Sequence, residues 1–328
     1  MEADRKPYII GIDLGGTNVR AAVVAREGKI IGEGREPSLA MEGIDVTVAQ
    51  IIKAACSAVS GARIDMSEVA GAGIGVPGQH KSREGIVLWS PNFKDWSGVQ
   101  LLAPIREALG VPIYMGNDAN VAALGEYKFG AGRGTNSLVM LTLGTGIGGG
   151  IILDGKLWLG AGEYAAEIGH QVIMPNGPMC GCGRPGHLEA LAQRDAIIER
   201  AARKIQSGRP SVLIEDSDWP DWSVTPATIA KAANEGDEVA IETMAETGYY
   251  VGIGVSNMIN ILCPDVVVVG GGISQAGDVL WGPLLRTVHA LAITESRRVG
   301  RVVPAELGDD AGIMGGVALV LAEIENEK

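Results

Sequence analysis

The stretch that decides the fold is YIIGIDLGGTNVRAAVV, residues 8–24. Apolar residues run up to Asp13, a glycine pair follows at Gly15 and Gly16, and apolar residues resume at Val19. Two apolar runs joined by a short turn of glycine and polar residues are typical of a β-hairpin. The pattern therefore predicts a hairpin whose tip presents backbone N–H groups beside small polar side chains.

The same pattern recurs in the second half of the chain. Residues 137–143 form an apolar run, glycines dominate 144–150, and an apolar strand resumes at Ile151. A buried strand that ends in glycine follows each hairpin, at 69–78 and again at 266–272. This repetition is too long for a solenoid and indicates an internal duplication. We predict an α/β protein with two related domains that face a cleft.

Composition and charge exclude several classes of protein. The 328 residues favour about two domains, and the 48 glycines, without any low-complexity tract, predict defined turns and close backbone approaches. A net charge of −12 argues against nucleic acid as the main partner. The uncharged stretch from Thr247 to Pro264 contains polar residues, which favours a buried helix over a membrane span. The start of the chain lacks a signal-peptide layout, so we expect a cytoplasmic protein.

The glycine turns suit a phosphate ligand. The second turn contains a G-x-G-x-x-G pattern (144–149), but strand residues follow it, which excludes the strand–loop–helix of a dinucleotide fold. Small polar residues flank both tips: Asp13, Thr17 and Asn18 in the first hairpin, Thr142 and Thr145 in the second. Exposed N–H groups in such turns bind anions, and the Asp13 carboxylate could order a hydrated Mg²⁺. The tips thus predict a triphosphate site, the alternative being that the glycines only close hairpins.

Two motifs resemble those of known proteins. The run DLGGTN, residues 13–18, resembles the first phosphate hairpin of the sugar kinase, actin and Hsp70 superfamily. The run EIGH (167–170), followed by CGCGRPGHLE (180–189), resembles the signature of the ROK family of repressors, open reading frames and kinases. This resemblance extends from Ile9 to residues 308–312 and so covers almost the whole chain.

The resemblance implies a domain layout and a nucleotide site. Two actin-like ATPase (ribonuclease H-like) domains would surround the cleft: 1–118 with a C-terminal helix at 312–328, and 119–311 with the zinc loop and nucleotide site. ATP with Mg²⁺ would lie between the hairpins, with the adenosine near the third glycine run. The implied nucleotide-binding residues are Asp13, Gly15, Gly16, Thr17, Asn18, Thr142, Gly144, Thr145, Gly146, Gly148, Gly149, Gly270, Gly271 and Gly272.

Four candidate metal ligands lie in one short, glycine-rich segment. They are His170, Cys180, Cys182 and His187, separated by nine, one and four residues. Thiolates and imidazoles are the ligands that Zn²⁺ prefers, and four protein ligands indicate a structural site. In most of the family the last ligand is a cysteine, so His187 is a departure. The alternative is that His187 points elsewhere and the loop binds zinc weakly or not at all. Cys56 and Cys263 lie in apolar helical patterns, which predicts that they are buried.

Asp118 is the candidate general base. It follows a short strand at the junction with a helix, where position alone favours a helix N-cap. The family resemblance implies instead that Asp118 accepts the proton of the sugar hydroxyl. It also implies a set of sugar-binding residues: Gly78, Asn92, Asn117, Asp118, Glu167, His170 and Glu189. His170 would use one ring nitrogen for the metal and the other for the sugar.

Together these expectations describe an ATP-dependent kinase that phosphorylates the 6-hydroxyl of a hexose, with glucose as the first choice. Fructose, mannose, N-acetylglucosamine and N-acetylmannosamine stay open as acceptors. A sugar-responsive ROK regulator is disfavoured, because the twelve residues before Asp13 are too few for a helix-turn-helix. An actin-like or chaperone-like ATPase is disfavoured by the zinc-type loop. A homodimer is expected from the resemblance, without nucleic-acid or membrane partners.

Overall fold

The computed structural model describes residues 6–90, 93, 96–214 and 224–326. The strands are β1 (Tyr8–Leu14), β2 (Asn18–Ala25), β3 (Ile30–Pro37), β4 (Val69–Val76), β5 (Gln79–Lys81), β6 (Ile86–Trp89), β7 (Val99–Gln100), β8 (Ile113–Asn117), β9 (Leu138–Leu143), β10 (Ile147–Leu153), β11 (Lys156–Leu157), β12 (Val266–Gly270) and β13 (Arg301–Pro304). The helices are α1 (Ile44–Ala62), α2 (Leu102–Leu109), α3 (Asp118–Phe129), α4 (Glu189–Ala192), α5 (Arg194–Gln206), α6 (Pro226–Asn234), α7 (Glu238–Leu262), α8 (Asp278–Leu291), α9 (Thr294–Val299) and α10 (Ala311–Asn326).

The first sheet has the strand order β3–β2–β1–β4–β8. β1 and β2 form the predicted antiparallel hairpin, and β4 and β8 then add in parallel. Neighbouring residues of β1 point to opposite faces, as the pleat of a strand requires: Ile10 packs in the cluster with Ile51 of α1, and Ile9 packs in the cluster with Val317 of α10. Helices therefore cover both faces of this sheet, and the ends of β1 and β8 carry the candidate site residues.

The second sheet repeats this order as β11–β10–β9–β12–β13. β10 and β11 are antiparallel, whereas β12 is parallel to β9 and to β13. Each strand of the first sheet has a counterpart at the same position in the second. The internal duplication predicted from the glycine-turned hairpins is therefore confirmed at the level of topology.

The chain divides into two compact units. The first comprises Met1–Asn136, Gly150–Ala166 and Glu306–Lys328, and the second comprises Ser137–Gly149 and Glu167–Ala305. In the first unit α3 packs along α10, so α3 lies with the elements that precede it. The predicted domain boundaries, 1–118 with 312–328 and 119–311, stay a prediction.

Several glycines in the first unit allow backbone-to-backbone packing rather than turns. A Cβ on Gly11 of β1 would lie 2.0 Å from the carbonyl oxygen of Ile313 in α10. A Cβ on Gly73 of β4 would lie equally close to the carbonyl oxygen of Gly316. Real Cβ atoms do not approach that closely, so α10 rests on the sheet only because both positions are glycine. The high glycine content thus reflects close approach as much as turn geometry.

Among the described residues one helix, α1, is long and apolar enough to span a membrane by length and composition. Core helices of soluble proteins pass the same test, so this is weak evidence. Val48, Ile51 and Val59 of α1 are buried, and α1 packs against β2 and β3. The uncharged stretch 247–264 lies mostly in α7, where Val251 and Ile259 are fully buried. The expected helix is present and buried on one side, whereas Tyr249 and Ile261 are exposed.

Candidate active site

The tip of the first hairpin is a tight turn that β1 and β2 hold in register. The Gly15 N–H donates to the Asn18 carbonyl oxygen at 2.9 Å. Ser38, just after β3, fixes the exposed part of the tip. Its hydroxyl donates to the Gly16 carbonyl oxygen at 2.8 Å, and its N–H donates to the Thr17 carbonyl oxygen at 2.9 Å. Ser38 is fully buried, and sequence reasoning did not single it out.

Asp13 stands at the end of β1 in a carboxylate-rich environment. Burial, followed by the nearby Asp118 charge, raises the pKa of Asp13 to about 6, although Arg20 opposes this shift. Arg20 lies opposite Asp13 in the hairpin register and donates to Asp310 Oδ1 at 2.7 Å and to the Asp309 carbonyl oxygen at 2.7 Å. Because burial and the Asp118 charge disfavour the ionised form of Asp13, a nearby cation would stabilise that form. Carboxylate oxygens are ligands that Mg²⁺ prefers. The donor set fits the predicted Mg²⁺ position.

The N-cap of α3 is Asn117 and not Asp118. Asn117 Oδ1 accepts the N–H groups of Ala119 and Asn120 at 3.0 and 3.2 Å, and Asn117 Nδ2 donates to the Gly78 carbonyl oxygen at 3.3 Å. Desolvation raises the pKa of Asp118, the first residue of the helix. Asp118 is therefore not the N-cap but a desolvated carboxylate beside it, whose Oδ1 accepts the adjacent Ala119 N–H at 2.9 Å. Its raised pKa suits a general base.

Two of the predicted sugar-binding residues, Gly78 and Asn117, are in contact with each other. Gly78 has a φ of 106°, and a Cβ there would lie 2.2 Å from the Trp89 carbonyl oxygen, so this turn requires glycine. Asn117 uses its amide oxygen to cap α3, and its amide group donates to the Gly78 carbonyl oxygen and to the Asp118 carboxylate. Asn92, predicted to bind the sugar as well, lies outside the described residues.

The second hairpin turns more tightly than the sequence suggested. The Gly144 N–H donates to the Gly146 carbonyl oxygen at 3.0 Å, and β10 begins already at Ile147. The predicted turn at 144–150 is therefore wrong in length: Gly148 and Gly149 belong to the strand. Thr142 lies on β9 and Thr145 is the exposed residue of the tip.

The third glycine run adjoins the second hairpin. β12 ends at Gly270, which pairs with Thr142 of β9. Gly271 has a φ of 84°, and a Cβ there would lie 2.3 Å from the carbonyl oxygen of Leu143. Gly272 is exposed. The structure therefore brings residues 270–272 together with the end of β9, as the predicted nucleotide site requires.

The four predicted zinc ligands converge. One ligand atom from each of His170, Cys180, Cys182 and His187 lies within 4.8 Å of all the others. His170 Nδ1 is 3.2 Å from His187 Nδ1 and 3.7 Å from Cys180 Sγ, and Cys182 Sγ is 3.3 Å from His187 Nδ1. Tetrahedral Zn²⁺ with ordinary Zn–N and Zn–S bonds needs ligand atoms about 3.3–3.8 Å apart. The donor set and its spacing thus fit zinc, and His187 points inward.

Burial shifts the pKa of two of these ligands. It lowers the pKa of His187, which keeps the imidazole neutral and able to bind a metal. It raises the pKa of Cys180 to about 11, so the thiolate needs a metal to form at neutral pH. Cys180 and His187 are only 3% and 4% exposed. A metal bound here would be shielded from solvent on that side.

The residues predicted to bind sugar in the second unit surround the metal cluster. His170 Nδ1 faces the cluster, while His170 Nε2 lies 3.8 Å from Glu167 Oε2. Glu189 Oε1 lies 3.4 Å from Cys180 Sγ, and Glu189 Oε2 accepts the Ile147 N–H at 2.9 Å. The structure thus brings Glu167, His170 and Glu189 to one segment, with the two His170 nitrogens facing different groups.

Comparison with known proteins decides the family. The ROK family profile matches residues 9–323. The chain belongs to the ROK family. It is 36% identical to a glucokinase of Thermotoga maritima over 97% of this chain and 99% of that one. It is 33% identical, with a TM-score of 0.81, to a ROK glucokinase of Streptomyces griseus solved with glucose and AMPPNP, over 95% of this chain and 98% of that one.

Regulators of the ROK family are also related to this chain. A xylose repressor of Caldicellulosiruptor bescii is 31% identical over 96% of this chain, which corresponds to 78% of the repressor. The glucokinases are thus more similar in sequence and match over nearly their whole length. The predicted family and the predicted α/β fold with two related actin-like halves are confirmed.

Proposed function

We propose that this ROK protein is an ATP-dependent glucokinase, which transfers the γ-phosphoryl group of ATP to the 6-hydroxyl of glucose. The observation that carries the proposal is the desolvated Asp118 carboxylate at the start of α3, relieved of capping by Asn117. Similarity to glucokinases along nearly the whole chain supports the same reaction. Phosphoryl transfer needs a positioned hydroxyl, charge neutralisation and a proton acceptor, and the chain offers residues for each.

In the proposed reaction Asp118 accepts the proton of the 6-hydroxyl as its oxygen bonds to the γ-phosphorus. The bond from that phosphorus to the bridging oxygen breaks, and ADP leaves with the electron pair. Backbone N–H groups of the two hairpin tips bind the phosphate oxygens. Asp13 would hold Mg²⁺, which neutralises phosphate charge when bound. The raised pKa of Asp118 brings the base closer to the working pH.

The sugar would be recognised by planar polar groups that donate and accept in fixed directions. The proposed set is the predicted one: Gly78, Asn92, Asn117, Asp118, Glu167, His170 and Glu189. Zn²⁺ bound by His170, Cys180, Cys182 and His187 would hold the segment that carries Glu167, His170 and Glu189. Four protein ligands leave no position for a reacting water, so this role is structural.

We also propose that the protein acts in the cytoplasm as a homodimer. The homodimer is an expectation from the family resemblance, whereas the similarity to full-length glucokinases supports a sugar and ATP as the small-molecule partners. Analytical ultracentrifugation of the purified chain tests the oligomeric state, and a monomer at micromolar concentration would contradict it.

A hexose panel tests the proposed function. Purified protein is assayed with ATP and glucose, fructose, mannose, N-acetylglucosamine or N-acetylmannosamine, and ADP release is followed. We expect the highest kcat/KM for glucose and a product that glucose-6-phosphate dehydrogenase oxidises. A higher kcat/KM for an N-acetylated sugar would overturn the choice of glucose, and release of ADP without any sugar phosphate would overturn kinase activity.

A further inference from the structure

One carboxylate joins the second phosphate hairpin to the metal segment. Glu189 is the first residue of α4 and follows the metal ligand His187 by two positions. Its Oε2 accepts the N–H of Ile147, at 2.9 Å, across 42 residues of sequence. Its other oxygen, Oε1, lies 3.4 Å from Cys180 Sγ. Glu189 therefore spans from the first residue of β10 to the cluster of metal ligands.

The hairpin tip is shaped around this carboxylate. A Cβ on Gly146 would lie 2.7 Å from Glu189 Oε2 and 3.5 Å from its Cδ. A Cβ on Gly144, two residues earlier in the same tip, would meet no atom closer than 4.0 Å. Neither glycine has a left-handed φ. The backbone at 146 would accept an alanine, but the added methyl group would displace the Glu189 carboxylate.

A second contact links the same two segments. The Arg194 N–H, at the start of α5, donates to the Gly144 carbonyl oxygen at 3.0 Å. Residues 189–194 therefore hold the hairpin tip at both ends, through Ile147 and through Gly144. A bound phosphate that displaces the tip would therefore also displace Glu189, because the hydrogen bond from the Ile147 N–H to Glu189 Oε2 is short and partly buried.

We propose that the Ile147 N–H and Gly146 are positioning elements for the sugar site, which fix the rotamer of Glu189 and couple sugar binding to nucleotide binding. The inference rests on the proposed function, since Glu189 is one of the proposed sugar-binding residues. The Ile147 N–H fixes Oε2 and so holds Oε1 in one direction, beside Cys180 Sγ. A carboxylate oxygen has a second lone pair, which can accept a sugar hydroxyl, and the fixed rotamer lowers the entropic cost of that contact. The hairpin thus serves the acceptor as well as the donor substrate.

A matched pair of variants tests this. Gly146→Ala places a methyl group against Glu189, and Gly144→Ala places the same group in open space. Glucose affinity is measured by titration calorimetry without nucleotide. We expect Gly146→Ala to weaken glucose binding at least about tenfold, which is 1.4 kcal/mol, and Gly144→Ala to change it less than about twofold. Equal glucose affinity in the two variants would overturn the proposal.

Coupling is measured with AMPPNP as the nucleotide. The quantity measured is the ratio of the glucose dissociation constants without and with saturating AMPPNP. In the wild-type protein this ratio should differ from one, and Gly146→Ala should bring it close to one. Ile147→Pro removes the N–H without adding a group at position 146 and should reproduce both effects. A ratio unchanged by either substitution would overturn the coupling.

Hydrogen exchange separates this inference from the proposed function. The Ile147 amide should exchange slowly in the wild type and in Gly144→Ala, and quickly in Gly146→Ala and Glu189→Ala, whichever sugar the protein binds. Wild-type protein that shows this protection but binds no hexose would refute the proposed function and leave the positioning contact standing. Fast exchange of Ile147 in the wild type would refute the contact itself.

Discussion

Gly312 lies directly against the Asp13 carboxylate, so that a Cβ at 312 would be 2.7 Å from Asp13 Cγ. Gly312 is the second residue of α10, and the preceding segment is anchored by Arg20 through Asp309 and Asp310. The end of the chain thus forms one wall of the proposed Mg²⁺ position. It explains why a glycine is needed at 312, inside a helix that would otherwise gain stability from alanine.

Gly312→Ala should displace Asp13 and weaken Mg²⁺ binding. We expect a stability loss of about 1–3 kcal/mol from the overpacked site and a higher Mg²⁺ concentration for half-maximal activity. Urea unfolding and Mg²⁺ titration of the rate measure the two effects. Gly61→Ala, in α1, is the control, because its Cβ would make only ordinary contacts at 3.6 Å. Gly312→Ala with normal Mg²⁺ dependence would show that this wall does not shape the site.

The raised pKa of Asp13 predicts a pH-dependent stability. In the folded state the Asp13 carboxyl keeps its proton up to about pH 6, whereas the ordinary pKa of an aspartate is 3.8. The stability that protonation of Asp13 gives the folded state is therefore fully present below pH 3.8 and is lost as the pH rises through about 6. In Mg²⁺-free buffer Asp13→Asn should gain stability over the wild type between pH 4 and 7, up to roughly 3 kcal/mol. A difference that does not change with pH would mean that Asp13 is not desolvated as described.

Asp118→Asn should remove the proton acceptor while both substrates still bind. We expect kcat to fall by about 10²–10⁴-fold, with dissociation constants for glucose and AMPPNP nearly unchanged in titration calorimetry. The wild-type rate should fall on the acidic side of the raised Asp118 pKa, because only the carboxylate accepts a proton. Asp278→Asn, also at the first residue of a helix, is the matched control and should keep its kcat. Full activity in Asp118→Asn would exclude it as the base.

Cys182→Ser should lose stoichiometric zinc and lower the melting temperature. His187→Cys should keep zinc, because Cys₂His₂ and Cys₃His are both stable tetrahedral sets. Elemental analysis of dialysed protein gives the metal content. Cys263→Ser is the control, because Cys263 is exposed and outside the ligand cluster. Zinc retained in Cys182→Ser at wild-type stoichiometry would refute the site.

Glu126 is fully buried, and its carboxylate accepts the N–H groups of Ala131, Glu306 and Leu307 at 2.8, 3.2 and 2.8 Å. Glu126→Gln replaces one accepting oxygen with a donor that faces a backbone N–H, so we expect a loss of about 2–4 kcal/mol in the free energy of unfolding. Glu325→Gln, at an exposed ion pair with Lys128, should change it by less than about 0.5 kcal/mol. Equal stability of the two variants would contradict this role of Glu126.

The local turn chemistry made the hairpins and the metal loop predictable. Asp13 to Asn18 carries its own turn signal within six residues, and the cluster from His170 to His187 combines four soft ligands in one loop. The sequence could not decide between Asn117 and Asp118 as N-cap, because both side chains are good caps. Only the structure shows that Asn117 takes this role, whereas Asp118 Oδ1 accepts the N–H of the adjacent Ala119.

Long-range contacts account for what sequence reasoning missed or placed wrongly. Gly150 was assigned to the second turn, yet it lies in β10, where a Cβ would be 2.4 Å from Ala123 of α3. The buried Ser38 and Glu126 bind backbone groups that are distant in sequence, so no local pattern marks them. The prediction that Cys56 and Cys263 are buried is wrong, because both are exposed. Cys56 falls on the outer side of α1, beside the buried Ala54 and Ala55.

The repeated strand order allows the two hairpins to be compared residue by residue. Equivalent positions at the ends of β1 and β9 read Asp13-Leu14-Gly15 and Thr142-Leu143-Gly144, so the two copies share their architecture but differ by one acid. A carboxylate on both copies would repel the same polyanion twice, whereas a hydroxyl on one of them accepts or donates without charge. Under the proposed function the half that carries Asp13 would hold the cation, and the half that carries Thr142 would contact phosphate without adding a second negative charge.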